Sequence, residues 1–382
     1  MVPASAVRAA ASVLHLESLV ATLPEPAQAR FERLFHVTTT SGEIRPPAHM
    51  HRWIERYFGS VDAILRQKVV KVTNRATMEG ALFNDLRAKR PLEARIPAAL
   101  HEELARSAPD PFCEPLINTP EDVFGRIEGR YCVTASNIAK YDGWHGVIVF
   151  SDHDPLAFDE ESVADYLDVA QQWWATAHAL DPQAVYPLFM WNCLWKAGAS
   201  IPHGHAQMSL TKGMHYAKIE QLRRSAQIHR MVFNRSYFDE LFAAHQDLGL
   251  AIEARGVRVL ANLVPIKEKE VMLLGARLDG ALAQAIYTAL HCLTDELGVT
   301  CFNLVIYLPP LDGSASDDGW ADFPVVVRMV DRGDPMNRTA DFGAMELYAA
   351  SVVSSDPYKV AESLFRCFAE EADQFKGWAT VR

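Results

Sequence analysis

The chain has few cysteines, six in 382 residues, and none of them forms a CxxC pair. Cys113, Cys132, Cys193, Cys292, Cys301 and Cys367 are scattered, which suits reduced thiols in the cytoplasm better than a disulfide framework. Long apolar runs are also missing. The N-terminal MVPASAVRAAASVLHLESLVATL is interrupted by Arg8, His15 and Glu17, so it lacks the core of a signal peptide. No stretch approaches the roughly 20 apolar residues of a membrane span. Basic residues are in deficit, 37 Lys and Arg against 48 Asp and Glu, for a net charge of −11. Wrapping a nucleic-acid backbone needs clustered cations, so neither nucleic acid nor membrane is an expected partner. A phosphorylated small molecule remains compatible, because a local basic site can sit on an acidic protein. What is present is apolar material: 49% of residues are hydrophobic, enough for one large core or two medium ones.

Residues 1–66 read as a helical N-terminal extension, with apolar residues at helical spacing in PAQARFERLF and MHRWIERYFGSVDAILRQ. KVVKVTN is strand-like, and NDLRAKRP reads as a basic loop. Next come two strands (GRYCVTASN, GVIVFSD), a helix (ESVADYLDVAQQWWATAHAL) and two strands (YPLFMWN, HAQMSL). The order then repeats. VRVLAN and EVMLLG are strands, GALAQAIYTALHCLTDEL is a helix, and CFNLVIYL and FPVVVRMV are strands. Asn137 and Val147 have the same separation as Asn262 and Met272, so the first two strands share a register without a gap. The reading is an α+β protein built by duplication, with one unit over 67–235 and a second over 236–382.

Chemistry concentrates in NCLWKAGASIPHGHAQ. On a strand, side chains alternate, so His203, His205 and Gln207 share one face while Gly204 and Ala206 allow close packing behind it. Upstream, Gly198, Ala199 and Ser200 form a small-residue turn suited to phosphate oxygens. A neutral imidazole nitrogen can attack phosphorus in line, giving a phosphoramidate that a second acceptor opens. The attacking nitrogen needs a lone pair, so the other nitrogen needs an acceptor, for which a backbone carbonyl would serve. Gln207 can donate an N–H to a non-bridging oxygen without offering a proton to the leaving group. That favours shuttling between phosphate-like groups over hydrolysis. His205 is therefore the expected nucleophile.

This segment is similar to the active-site strand of the galactose-1-phosphate uridylyltransferase branch of the histidine-triad superfamily. The resemblance implies duplicated histidine-triad units, each a mostly antiparallel sheet flanked by helices. It implies His205 as nucleophile, Gln207 on the transferred phosphoryl group, and Ser200 and Asn192 as phosphate contacts. NDLRAKRP resembles an early family loop, implying Arg87 and Arg90 as substrate ligands. VTASN implies Asn137 at the nucleotide, and DFGAMELYAASVVSSDP loosely resembles a substrate loop in which Glu346 aligns.

The resemblance also implies one structural zinc. Where many members carry CxxC, this chain has D-P-F-C, leaving Asp110, Cys113, His153 and His203 as ligands. Such a set suits tetrahedral zinc; the alternative is a decayed site in which Asp110 caps a turn. A second metal is not expected, because WADFPVVVRMV lacks histidine where the second repeat would need it. No organic cofactor is expected.

Three functional classes follow. The leading one is transfer of a nucleoside monophosphate to hexose-1-phosphate or inorganic phosphate. The same chemistry covers phosphorolysis of ADP-sugars, adenylylsulfate or dinucleoside polyphosphates. A hydrolase and a non-catalytic nucleotide-binding protein are the other two. The partners expected are nucleotides and phosphorylated small molecules, and a homodimer is left open. The base, uridine or adenosine, leaves no short motif. His145, in DGWHGVIV, is read equally as a site residue or as packing at a strand end.

Overall fold

The computed structural model describes residues 11–88, 97–313 and 319–379. Its centre is an antiparallel sheet of nine strands: β4 (Cys132–Ser136), β5 (Trp144–Phe150), β6 (Ala184–Asn192), β7 (His205–Lys212), β8 (Ala251–Ala254), β9 (Val257–Ala261), β10 (Glu268–Gly275), β11 (Phe302–Tyr307) and β12 (Val325–Asp331). The strand order is β4-β5-β7-β6-β11-β12-β10-β9-β8. Read outward from the β6–β11 seam, both halves run the same way, so β4, β5, β6 and β7 correspond to β9, β10, β11 and β12. The expected duplication is therefore written in the topology. Val147 lies opposite Gln207 and Met272 opposite Arg328, so Arg328 occupies the position of Gln207 and Val326 that of His205.

Each unit carries its helix between the second and third strands, Glu160–Leu180 and Gly280–His291, and the two helices pack together. Both begin where an aspartate accepts a backbone N–H: Asp159 from Ser162 and Asp279 from Leu282. Trp173 and Trp174 sit on the buried face of the first helix, and their indole N–H groups reach Asp122 Oδ2 (2.8 Å) and Ser209 O (3.0 Å). Both tryptophans thus serve the core. Behind the strand that carries His205, a Cβ on Gly204 would lie 2.7 Å from Phe150, so only glycine fits that approach.

The N-terminal region is not helical throughout. Phe35–Glu43 is a strand (β1), paired antiparallel with β2 (Arg66–Asn74), followed by β3 (Gly80–Phe83). Together with β13 (Ser351–Val353) these form a separate sheet of four. A boundary at residue 67 would separate β1 from its partner β2. The sequence FHVTTTSGE hides the strand because most of it is exposed on both faces, leaving no apolar alternation to read.

A buried ion cluster fastens the small sheet to the second unit. Arg328 donates to Glu270 (2.5 Å) and to Glu79 (2.8 Å), the latter from the β2–β3 turn. Removing one partner of a buried pair strands the other charge. Glu270→Ala is therefore expected to cost about 3–5 kcal/mol of unfolding free energy. A urea midpoint measurement checks it, and a loss below about 1 kcal/mol would mean that Glu79 alone compensates Arg328.

Candidate active site

His205 opens β7, opposite Val149 of β5, and Gln207 lies between Val147 of β5 and Met190 of β6. The central placement follows from β7 being flanked on both sides, which fixes its register. His205 is buried, and its Nδ1 is 2.8 Å from the carbonyl of His203. A carbonyl only accepts, so Nδ1 carries the proton and Nε2 keeps its lone pair. Burial lowers the pKa of His205 below the ordinary histidine value, so at neutral pH the ring is uncharged. Phe112 meets the imidazole edge-on at 5.2 Å and packs on Val133, Ala135, Val147 and Val149. The nucleophile candidate thus stands on a small apolar floor.

The amide of Gln207 is held at one end. Its Oε1 is 3.1 Å from the Tyr141 hydroxyl and 3.0 Å from His145 Nε2. His145 is fully buried behind it. Asn137 is adjacent: its Oδ1 accepts from the Ala139 N–H, and its Nδ2 lies 3.3 Å from His145 Nε2.

Asn192, at the end of β6, accepts a hydrogen bond from Asn303 Nδ2 (2.7 Å), and the same Asn303 nitrogen reaches Ala197 O (2.8 Å). Asn303 Oδ1 accepts in turn from Arg332, which pairs with both oxygens of Asp341. These contacts use the Oδ1 of Asn192 and leave its Nδ2, which lies beside the Gly198 turn, as its donor. Asn303 and Arg332 were missed in the sequence. The available signal was Asn303 itself, an isolated, half-buried amide in the apolar strand CFNLVIYL, where a polar group needs partners.

The small-residue turn behaves differently from its expected use. The N–H groups of Gly198 and Ala199 donate to the carbonyls of Trp195 and Leu194, so these two amides close the turn and do not face a phosphate. Gly198 has φ 103°, a left-handed conformation that suits glycine. Ser200 is exposed just beyond it. Arg87 lines a cavity of about 480 Å³ with Arg45, Trp53, Phe58 and Gln67, and no residue of β7 lines that cavity. Arg90 lies outside the described residues. Glu346 uses Oε2 to cap its own short helix, accepting from the Gly343 N–H at 2.8 Å.

Asp110, Cys113, His153 and His203 do come together, with ligand atoms all within 4.8 Å of one another. His203 Nε2 is 2.9 Å from Phe150 O and His153 Nε2 is 3.1 Å from Leu104 O. Each carbonyl takes a proton from Nε2, so each Nδ1 is left as a lone pair. Those two Nδ1 atoms face each other at 3.1 Å. Two facing lone pairs repel unless a cation lies between them. Asp110 supplies the charge: Oδ1 caps the following turn through the Phe112 N–H (2.8 Å), while Oδ2 is buried without a hydrogen-bond partner. Capping and ligation are compatible on one carboxylate, and the donor set fits a metal ion held by N, S and O.

No family profile and no curated protein matches the chain. Solved structures do. An ADP-glucose phosphorylase from Arabidopsis thaliana with bound ADP-glucose superposes with a TM-score of 0.59 at 15% identity, over 76% of this chain and 95% of that one. A GALT-like protein from Arabidopsis thaliana gives 0.54 at 15% identity, covering 67% and 91%. A uridylyltransferase gives 0.54 at 13% identity, covering 78% and 98%. At such identities the likeness is one of fold: the chain shares the two-unit α+β fold of these structures.

Proposed function

We propose that the chain is a nucleotidyltransferase that carries a nucleoside monophosphate on His205 between two phosphate-bearing partners. One observation carries the reading: a buried, neutral His205 whose Nδ1 proton sits on a backbone carbonyl, leaving Nε2 free beside Gln207. In the first step Nε2 attacks the α-phosphorus, the N–P bond forms and the bond to the leaving phosphate breaks. The imidazole becomes cationic, and the His203 carbonyl stabilises its Nδ1–H. In the second step an oxygen of the acceptor phosphate attacks phosphorus, the N–P bond breaks and neutral imidazole returns. No proton has to be supplied to either phosphate leaving group.

Gln207 Nε2, Asn192 Nδ2 and the Ser200 hydroxyl are the proposed donors to phosphate oxygens. Asn137 is the proposed contact for the nucleoside, and Phe112 offers an apolar surface against His205. Arg87 and Glu346 enter only as acceptor-side residues, since their contacts tie them to other elements. A hydrolase fits less well, because the amide at 207 cannot protonate a poor leaving group.

Intact mass spectrometry tests the reading. The protein is mixed with ADP-glucose, UDP-glucose, adenylylsulfate and diadenosine tetraphosphate, and a covalent nucleotidyl adduct is expected with at least one. Inorganic phosphate or hexose-1-phosphate should discharge it. ADP-glucose comes first because an ADP-glucose phosphorylase has this fold. Absence of any adduct across the panel would overturn the proposal.

The metal is proposed to be one zinc, held by Asp110, Cys113, His153 and His203 and fixing the segment that leads into His205. Four protein ligands leave no open position, so its contribution is to structure. Elemental analysis should give about one zinc per chain. Cys113→Ser should lower both zinc content and melting temperature. Protein freed of metal with an unchanged melting temperature would show that Asp110 is only a cap.

A further inference from the structure

We infer that His145 is a positioning residue which, together with Tyr141, locks the amide of Gln207 so that only its N–H₂ end can face the substrate. The inference rests on the reading of Gln207 as a phosphate ligand, and it adds the means by which that amide is oriented.

An amide has two ends that differ chemically but hardly in shape, and a free Gln207 would present its carbonyl to a phosphate half of the time. A carbonyl facing phosphate oxygens repels them. Two contacts remove the ambiguity. The Tyr141 hydroxyl reaches Oε1 at 3.1 Å, and burial together with Asp142 pushes Tyr141 up to about 12, so it stays a donor. His145 Nε2 reaches the same oxygen at 3.0 Å.

The tautomer of His145 decides whether that second contact is a hydrogen bond. With the proton on Nε2, it donates to Gln207, and Nδ1 accepts the Tyr141 backbone N–H at 3.5 Å. With the proton on Nδ1, that proton would face the Tyr141 N–H, and the Nε2 lone pair would face Oε1. The second form gains only the Asn137 Nδ2 contact at 3.3 Å. The first satisfies both ring nitrogens and leaves one mismatch, the Asn137 Nδ2 facing the Nε2–H at 3.3 Å, against the two mismatches of the second. His145 has no freedom to turn: it is fully buried, the Tyr141 ring lies 3.8 Å from its ring, and its carbonyl accepts from Lys140 Nζ at 2.9 Å. Burial also lowers its pKa, keeping the ring neutral.

The second unit repeats the arrangement with different chemistry. The counterparts of Asn137, His145 and Gln207 are Asn262, Glu270 and Arg328. Asn262 Nδ2 donates to Glu270 Oε2 at 3.0 Å, and Arg328 Nε to Glu270 Oε1 at 2.5 Å. The residue two places before the paired position on β5 or β10 thus reaches diagonally across to its neighbour strand in both units. In the second unit it neutralises a buried charge. In the first it fixes an amide.

Two measurements test this on the full chain. Long-range imidazole ¹H–¹⁵N correlation, with the signal assigned by its loss in His145→Gln, should find Nε2 protonated and Nδ1 bare. An Nδ1-protonated ring overturns the inference, and this readout needs no substrate. The second is single-turnover adduct formation at saturating donor, using whichever donor labels His205. His145→Ala should slow it roughly 10- to 100-fold, the usual cost of losing an outer partner, with little change in the donor concentration needed. His145→Gln, which keeps an N–H donor, should restore most of the rate. In a Gln207→Ala background, His145→Ala should cost nothing further. Equal losses in both backgrounds overturn the inference, since His145 would then act elsewhere. A wild-type chain that never labels sinks the transfer reading instead, and the tautomer still decides the clamp.

Discussion

Replacing His205 by alanine is expected to abolish covalent labelling and to lower turnover by about 10⁶-fold, the scale on which loss of an enzymatic nucleophile is felt. The size follows because the nearest imidazole in sequence cannot substitute. His203 is two residues away, but its Nε2 is tied to Phe150 O and its Nδ1 faces Asp110 and His153. Neither nitrogen can reach the position of the His205 lone pair without breaking that set. The fold should survive the change, because among the described residues the imidazole makes one hydrogen bond, to the carbonyl of the neighbouring His203, and one ring contact, to Phe112. Such a bond is worth about 1 kcal/mol, so melting should shift only slightly while labelling disappears. An alanine variant that still forms the adduct would place the nucleophile elsewhere.

Much of the first unit was legible in sequence because strand periodicity and duplication are local signals. Alternation put His205 and Gln207 on one face of β7, although His203 lies in the bend before the strand, and the shared spacing of Asn137–Val147 and Asn262–Met272 set the two halves in register. The tautomer of His205 was readable in outline too, since a buried imidazole nucleophile needs an acceptor and the nearest one is its own backbone. Long-range partners were not readable. Tyr141 and Gln207 are 66 residues apart, and Asn192 and Asn303 are 111 apart. No spacing rule links such pairs; the strand order brings them together. The turn before β7 misled for a different reason. Small residues suggested free amides, yet a tight turn spends its own N–H groups on its own carbonyls. The polar strand Phe35–Glu43 escaped because its sheet is covered on neither side along most of that strand.

Gln207→Ala is expected to lower single-turnover labelling, and the discharge step with it, by about 10²–10³-fold, the cost of removing one preorganised donor to a developing oxyanion. Both half-reactions should suffer alike, because the same phosphoryl oxygen gains charge in each. Gln207→Glu separates this role from mere packing. Glutamate keeps the length of the side chain and can still accept from Tyr141 and His145, so the pocket stays filled. What it loses is the N–H end, and it sets a carboxylate against the phosphate in its place. If the donor matters, the glutamate variant should be at least as slow as the alanine one while melting like the wild type. If Gln207 only fills space, glutamate should rescue the rate and alanine should not. A fall of a few-fold in both variants would remove Gln207 from the chemistry, and with it the argument that this site transfers nucleotides without protonating what leaves.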